Sequence, residues 1–163
     1  MKRFCSLALV LALWAAGSPS PALARSDALD RYHNGTFDFT LRLPESHLDD
    51  YLSVTTPEGI TFTSPDGLAV VNIFGSWNEG GKSLAAIVDQ YRSQVPEAEF
   101  TYEWRGRNAA VLSGHQAGDI FYVRIAMSPD GSRVAVLNMI YAPELKRQLD
   151  PAVTRLSTSL TIR

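Results

Sequence analysis

Between positions 98 and 141 the 163-residue chain carries four runs of alternating apolar and polar residues, AEFTYEWR, AAVLSG, DIFYVRIAM and RVAVLNMIY. Only the short polar connections RGRN, HQAG and SPDGS separate them. Alternation of period two makes each run a strand with one buried face. A parallel pair needs a crossover of about a dozen residues, so these strands must be antiparallel neighbours in a meander. Everything else in the chain has to pack on that sheet.

Upstream, TFDFTLRLP alternates Phe37, Phe39, Leu41 and Leu43 with Asp38, Thr40 and Arg42, a half-buried strand after an Asn34-Gly35 hairpin turn. Residues 45–59 read as a polar loop with a short strand at 51–54. Two further strands, at about 60–64 and 68–76, flank the first of two Ser-Pro-Asp-Gly segments. In each segment Pro presets φ and Gly accepts positive φ, as a type I turn with a following bulge requires. A β-propeller would repeat this motif about every 40–45 residues over at least four blades. Pro65 and Pro129 are 129 − 65 = 64 residues apart, so the two turns are independent hairpin corners.

Two amphipathic helices are predicted. Ser83 caps the first, whose stripe is Leu84, Ile87, Val88, Tyr91 and Val95, and Pro96 ends it. In the second, Asp150 is the expected N-cap, Pro151 takes the first helical position, and Val153, Leu156 and Leu160 share a face over about three turns.

The amino terminus reads as a secretory signal peptide. Lys2 and Arg3 precede an apolar run too short to span a bilayer, and Ala22-Leu23-Ala24 supplies the cleavage site. Residues 1–24 are then removed, 25–31 lead in, and 32–163 form one domain. The only cysteine, Cys5, leaves with the signal, so the mature chain has no disulfide and no thiolate chemistry. Of the 15 basic residues 13 remain against 17 acidic ones, a net charge of 13 − 17 = −4 without a basic run. That balance argues against nucleic acid and anionic membrane surfaces as partners, and no apolar run of spanning length follows the signal.

The order of elements and several short motifs resemble small secreted bacterial proteins of the PsbP-like or Mog-type class. The matching segments are F-x-F before Leu43-Pro44, T-F-x-S-P-D-G from Thr61 to Gly67, V-L-S-G (111–114) before G-D-I-F-Y (118–122), and Y-A-x(8)-D-P-x-V from Tyr141 to Val153. The resemblance implies an α+β single domain, a PsbP-like α/β/α sandwich with a mostly antiparallel sheet of six or seven strands and helices packed on it. It also implies a role in binding proteins or stabilising assemblies. None of the class's partner-binding motifs is matched here.

Candidate chemistry is thin. Ser113, His115 and Asp119 combine the residue types of a serine hydrolase, yet no G-x-S-x-G elbow exists and Ser113 and His115 are expected to flank a hairpin turn. His47, Asp49 and Asp50, with His33 nearby, offer oxygen ligands for a hard cation but lack the spacing of a zinc site. Glu97, Glu99 and Glu103 are expected on one wet face of an edge strand, opposite Phe100, Tyr102 and Trp104.

Binding residues are the better candidates. Trp77 is expected in a Gly-rich loop, and Trp104, Arg105 and Arg107 at a strand end and hairpin tip, where aromatic and guanidinium groups favour recognition. Trp104 could instead extend the Phe100-Tyr102 core face and Trp77 plug the sheet's end, leaving Arg105 and Arg107 free. With His115 these form the expected site for an envelope protein or small ligand, with no metal and no cofactor. The expected function is an exported, periplasmic or secreted, non-catalytic binding module. The alternative is a small envelope hydrolase using Ser113, His115 and Asp119.

Overall fold

The computed structural model describes residues 31–163; the expected signal peptide, residues 1–24, and residues 25–30 lie outside the described residues. The strands are β1 (Arg31–Asn34), β2 (Phe39–Arg42), β3 (Leu52–Thr55), β4 (Gly59–Thr63), β5 (Ala69–Trp77), β6 (Glu99–Arg105), β7 (Ala109–Gln116), β8 (Asp119–Met127), β9 (Arg133–Tyr141) and β10 (Thr161–Ile162). The helices are α1 (Glu45–Leu48), α2 (Leu84–Gln94) and α3 (Lys146–Ser159). A seven-stranded antiparallel sheet runs β3-β4-β5-β9-β8-β7-β6, and a small sheet runs β1-β2-β10. The fold is α+β, as expected, with β6 to β9 forming the meander.

Two cores lie on opposite faces of the large sheet. On one face α2 sets Leu84 and Val88 against Leu112, Phe121, Val123, Ile125 and Val134. On the other, α3 and the small sheet bury Leu149, Leu156, Phe39 and Leu41 against Val71, Ile73, Leu137 and Met139. Fully burying each such aliphatic side chain is worth about 1.5–3 kcal/mol. Because paired strands carry directly opposed side chains on one face, the registers assign the paired residues of the large sheet to an α2 face or an α3 face.

The Ser-Pro-Asp-Gly corners are built alike. Gly67 and Gly131 both have φ of +73°. The Ser64 hydroxyl donates to Asp66 at 2.6 Å and accepts from the Ala69 N–H at 2.9 Å. Ser128 repeats this with Asp130 at 2.6 Å and the Arg133 N–H at 3.0 Å. Both serines are buried, so each turn is held by a side-chain network as well as by backbone preference.

Four expectations are corrected. Asn34-Gly35 does not make a two-residue turn: β2 begins only at Phe39, and the buried Asn34 accepts from the Phe37 N–H at 2.9 Å through its side chain. Asp38, with φ of +52°, completes that loop. Asp150 is not an N-cap, because α3 starts a turn earlier after a 3-10 turn at Pro143–Leu145. A Lys146–Asp150 ion pair of 2.8 Å spans that added turn and Pro151 lies inside the helix.

The third correction concerns β7 and β8. Their hairpin is the two residues Ala117 and Gly118, both at positive φ, so Ser113 and His115 lie within strand β7 and not beside the turn. The fourth concerns β6. A β-bulge at Thr101 breaks its alternation: Phe100 pairs with Gly114, and Tyr102 pairs with the very next residue back, Ser113. One extra residue reverses every later side chain. Phe100 therefore faces α2, whereas Tyr102 and Trp104 face the α3 side. The three glutamates do not share a face either, since Glu99 lies with His115 and Glu103 with Leu112.

Candidate functional site

The reversal at Thr101 exposes two aromatic rings. Tyr102 and Trp104 are 54% and 45% accessible, on the edge strand of the large sheet. Trp104 lies over Gly106, where an added Cβ would come within 2.6 Å of the ring. Trp104 therefore does not extend the Phe100 core face.

Beside these rings, between β7–β8 and the first half of α3, is a groove of about 690 Å³. Ser113, His115, Ile120 and Tyr122 form its floor, and Lys146 and Asp150 of α3 stand at its wall. Tyr122 is fixed by a 2.5 Å hydrogen bond with Ser157. Tyr141 also lines the groove. Burial, then the Asp150 carboxylate, pushes its hydroxyl above the ordinary tyrosine range. One row along from Tyr102, Arg124 follows Trp104 and Val111 across the sheet, and its buried Nε has no hydrogen-bond partner among the described residues.

The groove does not bring Ser113, His115 and Asp119 together. Ser113 and His115 are alternate residues of one strand, about 7 Å apart along it, and no hydrogen bond joins them among the described residues. Asp119 pairs with Gln116, on the face opposite the one that carries His115. The arrangement offers aromatic faces, a guanidinium, an ammonium and hydroxyls, which suit recognition by stacking and hydrogen bonding.

The other predicted residues lie elsewhere. Arg105 is on the α2 face, tied to Glu103 and to Asp89 of α2 at 3.5 Å. Arg92 also binds Glu103 and covers the Phe100 ring at 4.2 Å. Arg105 is thus a strap between helix and edge strand. Arg107 is exposed at the hairpin tip. Trp77 is the last residue of β5, not a loop residue, and packs edge-on against Phe37 at 5.5 Å while remaining 56% accessible.

His33 meets Asp38 at 3.4 Å. His47, Asp49 and Asp50 line a separate hollow of about 210 Å³ with Asp66, whose carboxylate already accepts from Ser64 and from the Leu68 N–H. Among the described residues no group of three or more His, Cys, Asp or Glu converges as a metal site. None of the described helices is long and apolar enough to cross a membrane.

No protein-family model and no curated protein matches the sequence. Solved structures do match its shape. Cyanobacterial PsbP (CyanoP) from Synechocystis sp. PCC 6803 superposes with a TM-score of 0.63, over 90% of this chain and 100% of that one, at 9% identity. The fold is PsbP-like. LpqN, involved in cell envelope biogenesis of Mycobacterium tuberculosis, matches with a TM-score of 0.54 over 81% of this chain and 88% of that one, at 19% identity. Within the PsbP-like frame the groove lies between the meander and the last helix. The bulge that turns Tyr102 and Trp104 toward it has no counterpart in the alternation of the sequence, and only pairing with Ser113 and Gly114 reveals it.

Proposed function

We propose that the protein is an exported, non-catalytic accessory module of the cell envelope that binds a protein or small-ligand partner. Its binding surface is the α3-side face of β6 to β8 together with the adjoining groove. The observation that carries this reading is the half-exposed pair Tyr102 and Trp104 turned onto that face by the bulge at Thr101. Exposed aromatic anchors beside a concave surface are the usual centre of a binding energy hot spot. Trp104 and His115 belong to this surface, whereas Trp77 and Arg107 stand apart from it. Export rests on the charged, apolar and A-x-A order of residues 1–24, and the envelope role is supported by likeness in fold to LpqN.

Affinity capture from envelope extract tests the reading, with wild type, Tyr102→Ala/Trp104→Ala and Arg107→Ala as baits. The expected result is a partner retained by wild type and by Arg107→Ala and lost from the double variant, whose melting temperature matches wild type. An identical set of captured molecules on all three baits would overturn it.

A further inference from the structure

The sequence has no basic run, yet the fold brings three arginines from distant positions to one hollow. Arg31 of β1 and Arg42 of β2 are directly opposed partners across their hairpin, so both side chains stand on one face. Both are exposed. With Arg155 of α3 and the hydroxyl residues Thr40, Thr158 and Ser159 they line an open cavity of about 430 Å³, which no carboxylate lines among the described residues. Among the described residues neither Arg31 nor Arg42 pairs with an acid.

Like charges directly opposed across two strands destabilise the pairing. This hairpin is only four residues long on each side, so the repulsion falls on few hydrogen bonds. Its position is nonetheless fixed. The Arg42 N–H donates to Ser159 Oγ at 2.9 Å, locking β2 to the end of α3. Thr40 and Thr161 share one hydrogen bond of 2.9 Å, which uses a single hydroxyl proton and leaves the other able to donate into the cavity. The result is a cradle with the guanidinium forks of Arg31 and Arg42, neither paired with an acid among the described residues, and a free hydroxyl proton, in a chain that is acidic overall.

We propose that this hollow binds a phosphate group, held between the guanidinium groups of Arg31 and Arg42 with the spare hydroxyl proton of the Thr40–Thr161 pair donating to it. Arginine forks match phosphate oxygens two at a time. A bound phosphate anion turns the repulsion between the two arginines into a bridge. The cavity lies on the second half of α3 and shares no lining residue with the groove on the first half, so this site is independent of the binding surface at Tyr102 and Trp104. A soluble phosphorylated molecule and an anionic lipid headgroup both carry the group.

Calorimetric titration with inorganic phosphate, and co-sedimentation with vesicles of phosphatidylglycerol and phosphatidylcholine or of phosphatidylcholine alone, test this. Saturable phosphate binding is expected. Arg31→Gln and Arg42→Gln should each weaken it by about tenfold, the loss of one charge-assisted hydrogen bond, while Arg107→Gln changes nothing. In phosphate-free buffer Arg31→Gln should melt no lower than wild type, because it relieves repulsion, and phosphate should no longer raise its melting temperature. A purely structural pair of arginines would instead lose stability on substitution. Retention on phosphatidylglycerol vesicles that phosphate displaces assigns the group to a lipid headgroup, and phosphate binding without retention assigns it to a soluble ligand. Absence of saturable phosphate binding, or binding unchanged in Arg31→Gln/Arg42→Gln, would overturn the proposal.

Discussion

Phe100 and Tyr102, two residues apart on one strand, project to opposite faces of the sheet: Phe100 stacks edge-on against Phe121 at 5.3 Å under α2, and Tyr102 stands on the far side beside Ser113. A regular strand would place them together. The inserted Thr101 separates them, and with them it separates packing from recognition along β6.

Deleting Thr101 should restore alternation and drive Tyr102 and Trp104 under α2, while Glu103 and Arg105 turn away from Arg92 and Asp89. Overpacking of that face should cost about 1–3 kcal/mol, read as a lower urea midpoint, together with a blue shift of tryptophan emission. Tyr102→Ala should change stability by no more than about 0.5 kcal/mol, because the ring is half exposed. An unshifted midpoint in the deletion variant would show that the bulge does not set the faces.

Gly114 is the partner of Phe100 at that bulge, and a Cβ there would lie 1.8 Å from the Glu99 carbonyl oxygen. Gly114→Ala must therefore part β6 from β7 locally. Expected destabilisation is about 3 kcal/mol, with faster amide exchange confined to residues 99–105.

The two Ser-Pro-Asp-Gly corners should respond equally to loss of their hydroxyl. Ser64→Ala and Ser128→Ala each leave a backbone N–H, that of Ala69 or Arg133, without its side-chain acceptor. Each should cost about 1–3 kcal/mol in thermal or urea unfolding. A large difference between them would mean that only one corner depends on its side chain.

Acid should weaken the fold through the same corners. The Ser128 hydroxyl first, then the Ser132 N–H and hydroxyl, hold the Asp130 carboxyl at about 2. Hydrogen bonds from Ser64 and the Leu68 N–H lower Asp66, and bonds from Arg105 and Arg92 lower Glu103. Each group gives up its proton more readily when folded, so its stabilisation is present above the ordinary carboxylate range and fades as pH falls toward 2. At the other extreme, burial raises Tyr91 and Tyr141 above 10, so the unfolded chain loses those protons first and stability falls as pH rises past 10. Melting temperatures across this range should show both limbs. Asp130→Asn should flatten the acid one, and an unchanged acid slope in that variant would refute the assignment.

Much of this architecture is legible in the sequence for a physical reason. Short polar turns between period-two runs admit only antiparallel neighbours, which is how β6 to β9 can be read. The Ser83 cap and the Leu84–Val88 stripe depend on local chemistry, and Ser83 indeed accepts from the Ala86 N–H at 3.2 Å. What escapes such reading is set by long-range pairing. Nothing local marks Thr101 as an insertion, because Thr is an ordinary strand residue. The two-residue β10 joins β2 only through tertiary packing. Arg31, Arg42 and Arg155 are single charges in a polar background until β1, β2 and α3 meet. For the same reason Arg105, which looks free at a hairpin tip, is engaged by a helix that lies earlier in the chain.

The strand order has a further consequence for how the chain reaches this state. β3 to β5 and β6 to β8 can each form from neighbouring segments, but only β9 joins them, pairing Ala69 with Tyr141 and Ile120 with the same residue. Such distant closures are slow. Until β9 docks, β5 and β8 are both unpaired edges rich in valine and isoleucine, the kind of surface that draws strands from other molecules. The last long strand of the chain is therefore its keystone, and a product ending before Arg133 would be two sticky hairpin lobes instead of a smaller version of the domain.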